Sequence, residues 1–285
     1  MSTMISLSNE MNRMTMNDVR VKCPYAFAEA PTNPAVSSKY TYANTETVIN
    51  DMAKLGWYPV EAKQCRQKKG SKGIRSFHII AMESDDPRTR ITDQFGNPEA
   101  KVRIIIQNSH DGFNSFRFMV GAYRFVCENG IVIADAQFAD FSIRHINYSF
   151  DELRSIVARV MGGIPATVSS INKMNSITLT DAQKQEMATE TLKIRRGLSE
   201  EDRITVNNET INELLTPIRQ EDEGNSLWNV FNVLQEKMIK GGFSATGKNG
   251  KVRKQRPISS IKKDVEYNQR LWAIAERYMP ATMAA

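Results

Sequence analysis

Apolar positions early in the chain recur first at the spacing of an α-helix and then at the spacing of β-strands. The helical pattern comprises Val48, Ile49, Met52 and Leu55. Asn44 and Thr45 suit a helix start, and Gly56 is typical of a helix end. Residues 1–40 have no sustained period and contain three prolines, so we expect an irregular N-terminal arm before this helix.

Period-two alternation after the helix predicts four strands of a sheet with one buried face. The inward positions are expected to be Tyr58, Val60 and Ala62; Phe77, Ile79 and Ala81; Val102, Ile104 and Ile106; and Phe116, Phe118, Val120 and Ala122. Asn129 and Gly130 predict a hairpin turn, because both turn positions must tolerate positive φ. A further strand is expected around Phe141 and Ile143.

The helical period returns in the second half of the chain. Ser149 with Glu152, and Thr180 with Gln183, have the spacing of helix-starting capping boxes. Amphipathic stripes follow at Leu153, Ile156, Val157, Val160 and Ile164, and at Leu227, Val230, Phe231, Leu234 and Met238. Further helices are expected near residues 211–218 and 264–279.

These patterns predict an α+β fold, in which an antiparallel β-meander is flanked by helices and followed by a helical C-terminal region. We divide the chain into an irregular arm at 1–40, an α+β core at 41–175 and a helical region with a basic loop at 176–285.

Composition narrows the class of protein. The 285 residues are 41% hydrophobic and 25% charged, which is typical of a folded, soluble protein. No apolar run approaches the roughly 20 residues of a membrane span, and the N-terminus does not resemble a signal peptide, so we expect no membrane contact and a cytoplasmic location. The three cysteines, Cys23, Cys65 and Cys127, are widely spaced and fit reduced thiols better than a disulfide framework or zinc site.

The charge is segregated along the chain. Lysine and arginine number 38 against 32 acids, a formal charge of +6. Residues 62–78 and 237–263 contain no acid and carry six and nine cations, whereas residues 181–223 hold eleven acids and six cations. This segregation favours an anionic partner over a general effect on solubility.

The basic segments supply a candidate nucleic-acid interface. The first is expected to be a hairpin tip and neighbouring exposed sheet face, with Lys63, Arg66, Lys68, Lys69, Lys72, Arg75, Lys101, Arg103 and Arg117 contacting phosphates. Trp57, Tyr58 and Phe113 are candidates for base stacking. The second is expected to be a flexible basic loop containing Lys248, Lys251, Arg253, Lys254 and Arg256. The alternatives are a solvated charged face beside core aromatics and, for the loop, a disordered linker.

Two stretches resemble a known family. Residues 108–112 read Asn-Ser-His-Asp-Gly, residues 121–130 read Gly-Ala-Tyr-Arg-Phe-Val-Cys-Glu-Asn-Gly, and residues 228–237 read Trp-Asn-Val-Phe-Asn-Val-Leu-Gln-Glu-Lys. Their order and spacing are similar to those of the phage/plasmid-like proteins grouped as domain of unknown function 932, over roughly residues 40–275. The resemblance implies a mobile-element origin, and it brings no catalytic residues. The predicted architecture is also similar to the core of single-strand annealing proteins of the Rad, Erf and Redβ type.

His110 and Asp111 raise the alternative of a metal-dependent nuclease, with His78, His145, Asp135 and Asp140 as further candidate ligands. Asp-Gly is also an ordinary turn dipeptide, and no ligand spacing supports a metal set, so we predict no catalytic residue, metal or cofactor.

The leading hypothesis is a non-enzymatic, phage-encoded protein that binds and anneals single-stranded DNA in recombination or replication, as a homo-oligomer. The competing hypothesis is a phage factor that binds a host defence or replication protein through the acidic segment 181–223.

Overall fold

The protein folds as two compact units. The computed structural model describes residues 13–32, 44–67, 75–92, 98–114, 116–124, 129–132, 142–143, 149–199, 206–246 and 251–280. Unit 1 comprises Met1–Thr92, Gly96–Phe125 and Ala136–Pro165, and unit 2 comprises Asp93–Phe95, Val126–Asp135 and Ala166–Ala285. An antiparallel sheet in unit 1 and helices in unit 2 confirm the α+β class.

The N-terminal segment is ordered over residues 13–32, so the prediction of an irregular arm is wrong there. Helix α1 spans Met16–Lys22 and is followed by a 3-10 turn at Pro24–Phe27. A capping box between Thr15 and Asp18 starts α1, because each residue's side chain accepts a hydrogen bond from the other's backbone N–H. The Met14 N–H donates to the Pro59 carbonyl at 2.7 Å and joins this segment to the sheet.

Unit 1 is built from helix α2 and an antiparallel sheet. The bounds are α2 Thr45–Lys54, β1 Trp57–Gln64, β2 His78–Ser84, β3 Arg90–Thr92, β4 Pro98–Asn108, β5 Phe116–Arg124 and β7 Ser142–Ile143, with a 3-10 turn at Pro87–Thr89. The strands pair in the order β1-β2-β4-β5, while β3 pairs with β4 and β7 with β5. Strand β6, Asn129–Val132, begins at the two residues that we expected to form a turn. The expected turn at these two residues is therefore wrong, and residues 125–128 lie outside the described part.

The core face of the sheet matches the predicted alternation on its two central strands. Ile104 pairs with Val120 and Ile106 with Phe118, and all four side chains are at most 2% exposed. On β1, a register shift between Pro59 and Glu61 displaces the pattern, so Trp57 and Ala62 are buried while Tyr58 and Val60 are only partly covered.

The opposite face is also covered at its centre, which corrects the expectation of one buried face. Ile105 and Met119 lie there with 7% and 9% exposure, and so do Lys101 and Arg103 with 2% and 8%. The cations are neutralised across strands: Lys101 Nζ lies 3.2 Å from Glu83, and Arg103 lies 2.7 Å from Glu83 and 3.2 Å from Glu61. Burial of two cations is tolerated here because carboxylates on the neighbouring strands pair with them.

Unit 2 is mainly helical. Its elements are the end of α3 Phe150–Ser176, then α4 Asp181–Arg196, α5 Asn208–Leu215, a 3-10 turn at Gln220–Asp222, α6 Leu227–Lys240, β8 Ser244–Thr246, β9 Val252–Lys254 and α7 Ile261–Glu276. Helices α3 and α4 start at the predicted caps: Glu152 N–H donates to Ser149, and Thr180 and Gln183 form a capping box. No helix among the described residues is long and apolar enough to cross a membrane.

Aromatic packing between α6 and α7 forms the centre of unit 2. The rings of Trp228 and Phe231 stack with centroids 5.7 Å apart, and Trp272 meets Phe231 edge to face at the same distance. Gln235 donates to Asn268 at 2.9 Å within this buried contact, so the polar pair is satisfied and fixes the register of the two helices.

The buried ion pairs predict a specific loss of stability. Glu83→Gln leaves Lys101 and Arg103 without their shared carboxylate, and we expect it to lower the free energy of unfolding by about 3–5 kcal/mol. The matched control is Asp151→Asn, which removes an exposed pair with Arg154 and should leave stability nearly unchanged. Urea unfolding followed by circular dichroism measures both variants. Equal losses would contradict the interpretation.

Candidate nucleic-acid interface

Several predicted binding residues in unit 1 belong to one end of the sheet. Gln64 pairs with His78, and His78 pairs with Asn108, so β1 ends where β2 begins and β4 ends. Gln107 pairs with Arg117, which places the start of β5 at the same end. The segments carrying Arg66, Arg75 and Phe113 emerge from these strand ends.

Phe113 and Arg75 form an exposed aromatic–cation pair at this end. The Phe113 side chain is 59% exposed, and the Arg75 guanidinium lies over its ring, 4.3 Å from the centroid. The side-chain amide of Gln67 accepts from the Arg75 N–H at 3.0 Å and donates to the Arg75 carbonyl. Both backbone groups of Arg75 are thereby held. We call Gln67, Arg75, Asp111 and Phe113 the sheet-end platform.

Asp111 connects the two halves of this platform. Its carboxylate is 1% exposed; one oxygen accepts from the Phe113 N–H at 3.0 Å and the other from the Ser76 N–H at 3.1 Å. One carboxylate therefore fixes the loop that carries Phe113 against the residue next to Arg75. This arrangement gives the Asp-Gly turn a structural role that its sequence alone did not reveal.

The other polar residues of the same segment surround the hydroxyl of Thr45. His78 Nδ1 lies 2.6 Å from the Ser76 carbonyl, which can only accept, so Nδ1 carries the proton and Nε2 is an acceptor. Thr45 Oγ1 consequently donates to His78 Nε2 at 2.9 Å. It accepts from Asn108 Nδ2 at 2.9 Å and from His110 Nε2 at 3.2 Å. The hydroxyl then uses its one proton and both lone pairs.

This network keeps His78 neutral. Burial lowers the pKa of His78 to about 4 from 6.5, although the Ser76 carbonyl and the charge of Asp111 act in the opposite direction. Protonation would also place a second proton against Thr45, whose lone pairs already accept two hydrogen bonds. The two imidazole rings lie 5.2 Å apart. Among the described residues, no group of three or more His, Cys, Asp or Glu side chains is arranged to hold a metal ion.

Several predicted site residues are not available to a ligand. Trp57 is 1% exposed and belongs to the core, so the stacking assignment is wrong for this residue. The expectation that Lys101 and Arg103 extend an exposed positive face is also wrong, because both are buried in ion pairs. Tyr58 is partly covered, with the Arg13 guanidinium 3.8 Å from its ring centroid, and the exposed Lys63 pairs with Glu61 at 2.6 Å.

Other predicted residues do lie on the surface. Among the predicted cations, Arg66, Arg75 and Arg117 of unit 1 are exposed, as are Lys251, Arg253, Lys254 and Arg256 of the second basic segment. Lys68, Lys69, Lys72 and Lys248 lie outside the described residues.

The second basic segment forms one wall of a cleft in unit 2. The cleft has a volume of about 790 Å³ and is lined by Arg195, Arg253, Lys254, Gln255, Arg256 and Pro257. None of these residues is acidic, and we call this site the basic cleft. Arg195 was missed because it belongs to the acidic stretch 181–223. Arg195 lies in the last turn of α4 with Lys193 and Arg196, and cations at a helix C-terminus are a sequence signal for a local basic cluster.

The basic segment is a structured strand, which corrects the expectation of a flexible loop for residues 251–256. Strand β9 pairs with β8, and the ladder continues as Gln255 N–H donates to Phe243 at 2.8 Å and Gly242 N–H donates to Gln255 at 3.0 Å. The Arg195 guanidinium donates to the Arg256 carbonyl and, at 3.0 Å, to the Met238 carbonyl. It therefore ties the basic strand to the end of α6.

Gly241 permits this close approach of backbone. It has φ +72°, and a Cβ there would lie 2.5 Å from the Gln255 carbonyl oxygen and 2.9 Å from that of Arg256. Both the conformation and the space require glycine.

Comparison with known proteins assigns the chain to a family. The family model described as domain of unknown function (DUF932) matches residues 34–272. The chain belongs to this family. The match spans the sheet-end platform and the basic cleft, and it confirms the resemblance carried by the three sequence stretches.

Two Escherichia coli (strain K12) proteins are similar to this DUF932 chain. UPF0380 protein YafZ is 29% identical over 240 residues, which cover 84% of this chain and 82% of YafZ. UPF0380 protein YfjQ has the same identity and the same coverage of both chains. No solved structure matches the chain, and the expected similarity to single-strand annealing proteins stays a prediction.

The burial of His78 predicts a pH-dependent stability. Its folded pKa lies below the unfolded value, so the unfolded state binds more protons between pH 6.5 and about 4, and stability falls as the pH drops through this window. The loss attributable to His78 is on the order of 3 kcal/mol. Urea unfolding at several pH values should show a shallower dependence in His78→Gln than in the wild type, since both retain the same carboxylates. Parallel curves would contradict the assignment.

The close approach of the Gln255 and Arg256 backbone to Gly241 predicts that adding a methyl group there lowers stability. Gly241→Ala should be less stable than Gly197→Ala by at least about 1 kcal/mol. Gly197 has the left-handed helical conformation (φ +70°, ψ 31°) and nothing within 4 Å of an added Cβ, whereas Gly241 combines the steric overlap with a ψ of −137°. Gly197→Ala therefore measures the cost of a left-handed residue without overlap. Thermal unfolding of both measures the difference, and equal destabilisation would rule out the overlap.

Proposed function

We propose that this DUF932 protein binds single-stranded DNA without catalysing a reaction, and acts in recombination or replication of a mobile element such as a phage. The observation that carries the proposal is the basic cleft. It presents four cationic side chains and no acid, and three of these cations lie on the segment 253–256, which main-chain hydrogen bonds hold in place.

The cleft has the chemistry of a phosphate-backbone site. Arg253, Lys254 and Arg256 are exposed along one extended segment, and cations spaced along a strand can follow the phosphates of an extended nucleic acid. Unlike Lys101 and Arg103, these side chains are on the surface, so capturing a phosphate displaces water and counterions without disrupting a buried pair. Arg195 adds a cation whose guanidinium already holds the strand.

Unit 1 offers a second group of exposed cations. Arg66, Arg75 and Arg117 belong to the same end of the sheet, and the connection 68–74 adds three lysines there in sequence. Phe113 supplies an exposed aromatic ring. This combination of cations and an aromatic is typical of surfaces that bind single strands with little sequence preference.

Annealing and homo-oligomerisation are the finer parts of the proposal, and they follow from the architectural likeness to single-strand annealing proteins. A strand held through its phosphates keeps base edges open to a complementary strand. Light scattering of the protein with and without an oligonucleotide measures assembly, and accelerated pairing of two complementary oligonucleotides measures annealing.

Reversing the charge of the cleft should abolish binding. We expect the triple variant Arg253→Glu, Lys254→Glu and Arg256→Glu to lose affinity for an oligonucleotide at moderate salt. For the wild type, affinity should fall steeply with salt, because each phosphate contact on a single strand contributes roughly 0.7 to the slope of log affinity against log salt. Fluorescence anisotropy over a salt series, with single- and double-stranded probes, measures both quantities.

The matched control carries the same change in net charge on exposed cations elsewhere: Arg90→Glu, Arg154→Glu and Lys173→Glu. It should bind nearly as the wild type does. A second triple, Lys68→Glu, Lys69→Glu and Lys72→Glu, tests the connection in unit 1, and it should also abolish binding. Absent or salt-insensitive binding by the wild type would overturn the proposal. In that case, a host protein captured from nuclease-treated lysate would support the protein-directed role, and Mg²⁺-dependent cleavage of DNA would support a nuclease.

A further inference from the structure

We infer that the sheet-end platform is a preformed seat for one unpaired nucleobase, which stacks on the ring of Phe113, and that Asp111 is the residue that positions this ring. The inference rests on the proposed single-strand binding, and it names the chemical group that unit 1 takes. It also gives the Asn-Ser-His-Asp-Gly segment a role in binding.

Phe113 is held out of the core by its surroundings. It is the most exposed phenylalanine whose side chain the structure describes, at 59% against 38% for Phe150. An exposed aromatic ring forfeits the stabilisation that burial would provide. Its loop is nevertheless anchored, because the Phe113 N–H donates to a carboxylate that is 1% exposed. A ring that is both anchored and exposed is suited to contact a bound molecule.

One face of the ring is covered by a cation. The Arg75 guanidinium sits 4.3 Å from the ring centroid, and most of the ring's surface remains exposed beyond it. A flat base can stack on that remaining surface, while the guanidinium supplies positive charge for the adjacent phosphate. Aromatic ring and cation thus match the two components of a nucleotide.

The platform is ordered before any ligand binds. Gln67 holds both backbone groups of Arg75, and Asp111 holds the backbone of Ser76 and Phe113 with separate oxygens. Fixing these groups in advance reduces the entropy lost when a ligand is captured. The carboxylate of Asp111 is buried and both its oxygens accept backbone hydrogen bonds, so it does not contact the phosphate directly.

The surrounding charge favours a nucleic acid over an apolar peptide as the occupant. Arg66, Arg75 and Arg117 lie at this end of the sheet, and the sequence from residue 62 to residue 78 contains no acid. An apolar peptide gains nothing from such a concentration of cations, whereas a nucleotide gains from both ring and charge.

Two probes separate base stacking from phosphate capture: an oligothymidylate and an abasic oligonucleotide of the same length. Phe113→Leu should weaken binding of the oligothymidylate about tenfold and leave binding of the abasic strand unchanged, because stacking on an aromatic ring requires a base. The slope of affinity against salt should be unchanged, since no cation is removed. Phe113→Trp should retain affinity, with its added fluorescence quenched by the oligothymidylate. The matched control, Phe150→Leu, should affect neither probe.

Asp111→Asn tests the positioning role. The amide cannot accept at both ends as the carboxylate does, so affinity should fall for the oligothymidylate alone. A merely structural role would weaken both probes together, and that result would overturn the assignment of Asp111. If the wild type binds both probes and Phe113→Leu changes neither, the nucleobase seat is wrong while single-strand binding stands. If the wild type binds neither probe, the proposed function fails as well.

Discussion

The arrangement of unit 1 depends on the hydrogen bonds of the Thr45 hydroxyl group. This hydroxyl is fully buried and saturated, because it donates to His78 and accepts from Asn108 and His110. Thr45 lies in the first turn of α2, and its partners lie at the start of β2, at the end of β4 and just beyond that end, so one oxygen atom aligns three elements. The loop that continues from Asn108 carries Asp111 and Phe113, and the segment that precedes His78 carries Arg75. The buried Thr45 hydroxyl therefore helps to fix where Phe113 and Arg75 lie at the sheet end. Loss of any one of its partners would leave a buried polar group unsatisfied, which is costly.

Periodicity and caps were sufficient to predict most elements, because these signals are local in sequence. The helices starting after Ser149 and Thr180, and the buried alternation along β4 and β5, follow from residues within a few positions of each other. Exposure of the cations was not predictable in this way. Lys101 and Arg103 pair with Glu83 and Glu61, which are distant along the chain. Antiparallel pairing brings acids of other strands alongside these cations, so the local sequence does not show whether a cation is paired.

In the basic cleft too, the local sequence was not sufficient to predict the structure: it suggested a flexible loop where the chain is ordered. Composition drew attention to residues 251–256, but glycines and charge suggested a flexible loop. Order there comes from the β8–β9 ladder and from the missing side chain of Gly241, which lets two main chains approach more closely than any other residue would allow. Arg195 joins the site through the fold alone. An acidic average over residues 181–223 concealed it, because a helix distributes its charges around different faces.

The Asn-Ser-His-Asp-Gly segment has the residue types of a catalytic site, and its geometry explains why they serve as a framework. His78 and His110 are fully buried, and the proton on His78 Nδ1 is committed to a carbonyl. The two carboxylate oxygens of Asp111 each accept a hydrogen bond from a backbone N–H group. A general base must offer a lone pair to a reacting group, and a metal ligand must offer one to an ion. In this segment the described contacts of the polar side chains instead hold the backbone in place. The ring of Phe113 is thereby kept exposed beside Arg75. Polar residues of the types found in active sites can therefore fix the position of a neighbouring exposed ring.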